Sequence, residues 1–161
     1  MNEWIDELSD RAAAGDAAVL VTISGIRGST PRETGAKMIV TARETIGTIG
    51  GGPLEHQCTH IAAGLLESAD AAETRRFPLG PALGPCCGGV MDALFEPVGA
   101  GLPDWLRDLR ALHGQGQPSV LVTAAQTGTK FVVTADTVFG VDEHACDPGI
   151  VADARGYLQG G

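Results

Sequence analysis

The apolar positions of the chain fall into two periods. In "EWIDELSDRAAA", Trp4, Ile5, Leu8 and Ala12 recur at helical spacing behind Asn2, so the pattern predicts an N-capped amphipathic helix. "AAVLVTISG" and "AKMIVTA" are short runs rich in Val, Ile and Thr, and "TIGTIG" follows at 45–50; these predict three strands. The period then lengthens in "PLEHQCTHIAAGLLES", a helix with Pro53 suited to its first position.

Much of this order returns. "VLVT" at 19–22 reappears at 120–123, an offset of 101, and "GAKMIVTA" at 35–42 reappears as "GTKFVVTA" at 128–135, an offset of 93. The offset shrinks by eight, so the first copy carries eight more residues between its first two strands. "IGTIGGGPLE" is matched only loosely by "FGVDEHACDP", before a terminal helix "GIVADARGYLQ". The expectation is an α/β protein: two related strand-strand-strand-helix units, about 17–68 and 118–159, sharing one mixed sheet flanked by helices in a single domain. Between the copies lie "ETRRFPLG", the Gly/Pro-rich "PALGPCCGG", a strand "VMDALFEP" and a helix "PDWLRDLRALH".

Composition narrows the partners. With 161 residues the chain buries a core without staples, and four cysteines are too few for a disulfide scaffold. A reducing, cytoplasmic setting is therefore expected. A net charge of -9 repels a phosphate backbone, which argues against nucleic acid. No apolar run approaches the roughly 18 residues of a membrane span, and the acidic N-terminus is unlike a signal peptide, so no membrane partner is expected. Partners are then proteins or small molecules.

The two copies differ where chemistry is carried. Only the first has the insert "GIRGSTPRET" and a triple glycine. Gly50, Gly51 and Gly52 before a helix suit an anion, through unpaired backbone N–H groups and the positive end of the helix dipole; the alternative is a turn that permits close strand-helix packing. Arg27 and Arg32 bracket a Ser-Thr-Pro turn, and guanidinium groups grip phosphate or carboxylate, with Ser29 and Thr30 as further donors; the alternative is a solvated loop. Lys37 recurs as Lys130, and a position shared by both copies reads as structural.

In "LGPCCGG", two glycines follow Cys86 and Cys87. Such a turn lines a concavity with N–H groups and favours the thiolate, against the ordinary reading of buried packing cysteines. Adjacent cysteines are strained as a disulfide, and the spacing is not that of a zinc site. His56 and His60 share a helix face without an accompanying metal motif, and His144 with Cys146 reads as a terminal loop. Hydrolase and kinase signatures are absent.

Taken in order, "IRGSTPRETGAKMIV", "GTIGGGPLE" and "LGPCCGG" resemble the XdhC/CoxI family of xanthine dehydrogenase accessory factors, over about residues 17–97. The resemblance implies a non-enzymatic maturation factor that binds molybdenum cofactor, as molybdopterin or its cytosine dinucleotide. Such a factor protects this cargo while a cysteine desulfurase supplies sulfur, and delivers it to an apo-molybdoenzyme of the xanthine dehydrogenase class. It also implies that Cys87, with Cys86 beside it, is the soft ligand to molybdenum, a thiophilic metal. Arg27, Ser29, Arg32 and Gly50 to Gly52 then hold the polar and phosphate parts. A homodimer is a further expectation. Longer members continue into a Rossmann-like domain, whereas this sequence stops at "YLQGG", as a short member or a longer chain cut at a domain boundary would. Two rival functions are a thiol-dependent redox or transferase enzyme using Cys87, and a scaffold that docks the apo-enzyme or desulfurase without cargo.

Overall fold

Strand β1 (Ala18–Arg27) organises the first half of the molecule because it buries residues on both of its faces. In the computed structural model, which describes residues 3–68, 71–80, 88–124, 127–141 and 146–160, β1 is the middle of a five-stranded sheet. The order is β3 (Thr45–Gly47), β2 (Lys37–Thr41), β1, β5 (Val90–Val98), β4 (Glu73–Pro78), and every pair is antiparallel. Val19, Val21 and Ile23 point to one face, where they meet Met38, Val40, Met91 and Phe95 and the buried Leu54, Cys58, Ala62 and Leu65 of helix α2 (Gly52–Ser68). Helix α1 (Glu3–Ala13) packs on β1 and β2 through its buried stripe of Ile5, Leu8 and Ala12. The expected Asn2 cap lies outside the described residues.

The remaining elements are helix α3 (Asp104–Gly114), strands β6 (Val120–Thr123), β7 (Lys130–Val133) and β8 (Val138–Phe139), and helix α4 (Pro148–Gln159). They belong to a second compact unit, Leu102–Gly161; the elements from α1 to β5 belong to the first, Met1–Gly101. Its sheet runs β6-β7-β8, again antiparallel, with Phe131, Val133, Val151 and Ala154 as its buried cluster and α3 packed on β7.

The α/β class holds, while the sheet differs from expectation in two respects. Each unit has its own sheet, and neither sheet is mixed. For β2 and β3 the antiparallel arrangement follows from connection length. Only three residues join β2 to β3, and a parallel neighbour would need a crossover of a dozen or more.

The repeat is exact in register. Val19 faces Val40 and Val21 faces Met38; in the second copy Val120 faces Val133 and Val122 faces Phe131. Ile39 opposite Ile46 is answered by Val132 opposite Phe139. The duplication also reaches further back than the strands, because α1 and α3 stand at the same offset of 101. Trp4 and Trp105 are equivalent, and each lies under the ammonium of the shared lysine, at 5.3 Å for Lys37 and 5.1 Å for Lys130. The repeated lysine is structural in both copies: it stacks on the helix that covers its own sheet.

The short elements are less regular than the pattern predicts. "TIGTIG" is strand only over Thr45–Gly47, after which Ile49 turns into the core. "ETRRFPLG" supplies an edge strand, β4, in which Phe77 alone is buried.

Candidate functional site

The insert "RGSTPRE" continues from the end of β1, and two glycine-bearing loops close against it. At its start, Arg27 pairs across the sheet with Val90, the first residue of β5. Gly89, just before, lies so close that a Cβ there would be 2.4 Å from the carbonyl oxygen of Ser29 and 2.6 Å from that of Arg27. Only glycine permits that approach. Further along, Pro31 and Arg32 pack on Gly50, where an added Cβ would meet Pro31 carbons at 2.9 Å and Arg32 Cγ at 3.5 Å. The arginine loop thus touches the triple-glycine turn at one point and Gly89, two residues after Cys87, at another. Cys86 and Cys87 themselves lie outside the described residues, as does His144.

The triple glycine is wired differently from expectation. Its N–H groups were to be unpaired, yet Ile49 N and Gly51 N each donate to Glu55 Oε2 at 3.0 Å, and Gly50 N donates to the Thr48 hydroxyl at 3.1 Å. Thr48 in turn donates to the same Glu55 oxygen. The reason is local: a carboxylate on the first turn of α2 satisfies donors at the helix start from inside the chain, much as an N-cap does. Burial opposes the charge on Glu55, but the Thr48 hydroxyl and the backbone N–H groups of Ile49 and Gly51, with that of Gly50 close by, outweigh it and hold its pKa below the ordinary value. The glycines that remain open are Gly51 and Gly52, beside which a Cβ would meet nothing within 4 Å.

Charge gathers along β1, β5 and β4. Arg76 grips Asp92 with two bonds, Nε to Oδ1 at 2.7 Å and Nη2 to Oδ2 at 3.1 Å. Gly25 occupies the facing position on β1, after a register shift between Ile23 and Gly25, and the Ser24 hydroxyl donates to the Asp92 carbonyl at 3.1 Å. Arg76 holds the Asp92 pKa down chiefly through the hydrogen bond, desolvation opposes it, and the charges of Arg76 and Arg27 add to the lowering. Arg27 and Arg32 are both exposed. Thr30 spends its proton on the Arg32 carbonyl at 3.0 Å, which shapes the loop.

Other candidates separate from this place. His56 and His60 are exposed on α2, and among the described residues no group of three His, Cys, Asp or Glu side chains is placed to hold a metal ion. Cys146 packs against the apolar cluster of the second unit. Two residues central to the geometry, Glu55 and Asp92, were not singled out by sequence reasoning. A carboxylate in the first helical turn after a glycine run is a capping signal that identifies Glu55; Asp92 carries no such mark, because its partner Arg76 is 16 residues away.

With three loops meeting around Arg27 to Arg32, the comparison with known proteins falls on the same stretch. Residues 11–78 match the model of the XdhC and CoxI family. That XdhC and CoxI match spans β1 to β4 and includes Arg27, Ser29, Arg32 and Gly50 to Gly52, and it ends before the two cysteines. A crystal structure described as a xanthine dehydrogenase from Bacillus halodurans superposes with a TM-score of 0.69 at 23% identity, covering 89% of this chain and 46% of that one. At that identity the likeness shows a shared fold, and the chain spans less than half the length of that protein. No curated protein matches the chain. No helix among the described residues is long and apolar enough to cross a membrane.

Proposed function

We propose that this chain is an accessory factor of xanthine dehydrogenase maturation, which binds molybdenum cofactor and hands it to an apo-molybdoenzyme. The observation that carries the reading is the convergence of loops: one arginine-bearing segment contacts both the triple-glycine turn and Gly88–Gly89. A cargo with a phosphate at one end and a thiophilic metal at the other needs that pairing of cations and thiol. The XdhC and CoxI match covers the cationic half of it.

The residues present suit such a cargo with one revision. Glu55 and Thr48 already occupy the N–H groups of Ile49, Gly50 and Gly51, so the phosphate falls to Arg27, Arg32 and the Ser29 hydroxyl. Gly51 and Gly52 contribute open space in which a flat ring system can lie against backbone. Cys87, or Cys86 beside it, is the proposed sulfur ligand on the strength of the family resemblance, and a cysteine desulfurase is the proposed second partner.

Co-expression with cofactor biosynthesis, followed by denaturing extraction and oxidation, tests this directly. The expected result is fluorescent oxidised pterin in amounts approaching one per chain, falling sharply in Cys87→Ala combined with Cys86→Ala. Protein that captures an apo-molybdoenzyme with no pterin in the extract is a scaffold and refutes the cargo reading. Rapid, turnover-linked alkylation of Cys87 would favour a thiol enzyme instead.

A further inference from the structure

Glu55 stands on the first turn of α2, but its carboxylate reaches backward. A first-turn glutamate that only capped the helix would reach back to the N–H just before it, as Glu55 does at Gly51, whereas α4 is capped from outside by Asp147, which accepts from Gly149 N at 2.8 Å. Glu55 Oε2 takes the N–H groups of Ile49 and Gly51, both ahead of the helix, and the Thr48 hydroxyl as well. Thr48 then holds Gly50 N. One carboxylate oxygen therefore fixes residues 48 to 51, three of them directly and Gly50 through a single hydroxyl.

What that fixed turn touches is the arginine loop. Gly50 has φ +127°, and Pro31 packs where its side chain would be, with Arg32 Cγ adjoining. The corresponding place in the second copy has neither the insert nor the triple glycine, and its helix takes the ordinary Asp147 cap. The backward-reaching carboxylate occurs in the copy that carries the arginine loop. A cap needs only the bond to Gly51 N; the further bonds to Ile49 N and the Thr48 hydroxyl organise the turn beyond.

Resting on the cargo reading above, we infer that Glu55 is a positioning residue: by clamping the 48–51 turn against Pro31 it sets the place of Arg32, and so the grip on the cargo's phosphate, without touching the cargo. Three uncharged hydrogen-bond donors stabilise its carboxylate. All three bonds end on one oxygen, and a glutamine amide oxygen can accept the same three.

Pterin affinity of the full chain is measured for Glu55→Ala, Glu55→Gln, Arg32→Ala and the Glu55→Ala/Arg32→Ala double variant, each checked for folding by circular dichroism. Glu55→Ala is expected to weaken binding about tenfold, Glu55→Gln to stay within about twofold of wild type, and Arg32→Ala to add little once Glu55 is gone, since residues acting as one unit are not additive. Additivity of the two losses overturns the inference, because a purely structural Glu55 would not couple to Arg32. An unchanged affinity in folded Glu55→Ala also overturns it while leaving the cargo reading intact; wild-type protein without pterin overturns both. If Glu55→Ala fails to fold, Thr48→Ala replaces it, with a smaller loss expected and the same non-additivity required.

Discussion

Replacing Gly89 with alanine puts a methyl carbon 2.4 Å from the Ser29 carbonyl oxygen and 2.6 Å from that of Arg27. Ordinary carbon-oxygen contact begins about an ångström further out, so something must move by that much. Neither oxygen can swing aside, because both belong to backbone and Arg27 is held in register with Val90. The start of β5 has to lift away instead. Overpacking of this kind costs about 1–3 kcal/mol, and the bond from Leu79 N to the Gly89 carbonyl, at 2.8 Å, puts about 1 kcal/mol more at risk. A loss of about 2–4 kcal/mol is expected, or roughly 10 °C in Tm for a unit of this size. Gly88→Ala is the control: a Cβ there meets nothing within 4 Å, so it should change stability by less than about 0.5 kcal/mol. Urea unfolding of both variants, compared at constant m, measures the difference. Two variants within about 0.5 kcal/mol of each other would refute the close approach of the loops, and with it the reading of glycine as required at that turn.

Two further outcomes follow from the electrostatics. Burial, with the nearby Glu55 charge, pushes the Cys58 thiol up to about 12, so native protein at pH 8 should leave it unmodified by a disulfide reagent until the chain unfolds; rapid native modification of Cys58, located by peptide mapping, would show that α2 does not pack as described. Asp92 is held below its ordinary value of 3.8 in the folded protein, so the Arg76 pair supports stability above that pH and loses its effect as pH falls through the folded value. Arg76→Ala should let the Asp92 carboxyl carbon titrate nearer 3.8 by NMR, and an unmoved titration would mean that the two side chains are not paired in solution.

Most of the architecture is legible in the pattern of apolar residues. β1, β2 and β5 announce themselves because their Val, Ile and Met positions are buried, and a buried strand must be apolar. The repeat is legible for the same reason, and the pairing register follows it: Val40 faces Thr45 across the first hairpin, and Val133 faces Val138, each 93 residues on, across the second. The helical part of the repeat was open to the same reading through Trp4 and Trp105, which share the offset of the "VLVT" copies. β4 was not legible, since an edge strand of exposed charges has only Phe77 to bury and shows no period.

The candidate site divides along the same line. By itself the sequence determined which segments are unusual: the arginine insert, the triple glycine and the Cys-Cys-Gly-Gly turn stand out because their residue types suit charge, tight backbone and thiol chemistry. Only the tertiary structure decided which of them meet and what is already taken. Gly89 reaches Ser29 because β5 pairs with β1, a contact between residues 60 apart that no local pattern encodes. The N–H groups of Ile49 and Gly51 are spent on Glu55 because α2 begins where its first-turn carboxylate can curl back to them. A donor's availability depends on every acceptor within about 3 Å, and that neighbourhood exists only once the chain is folded.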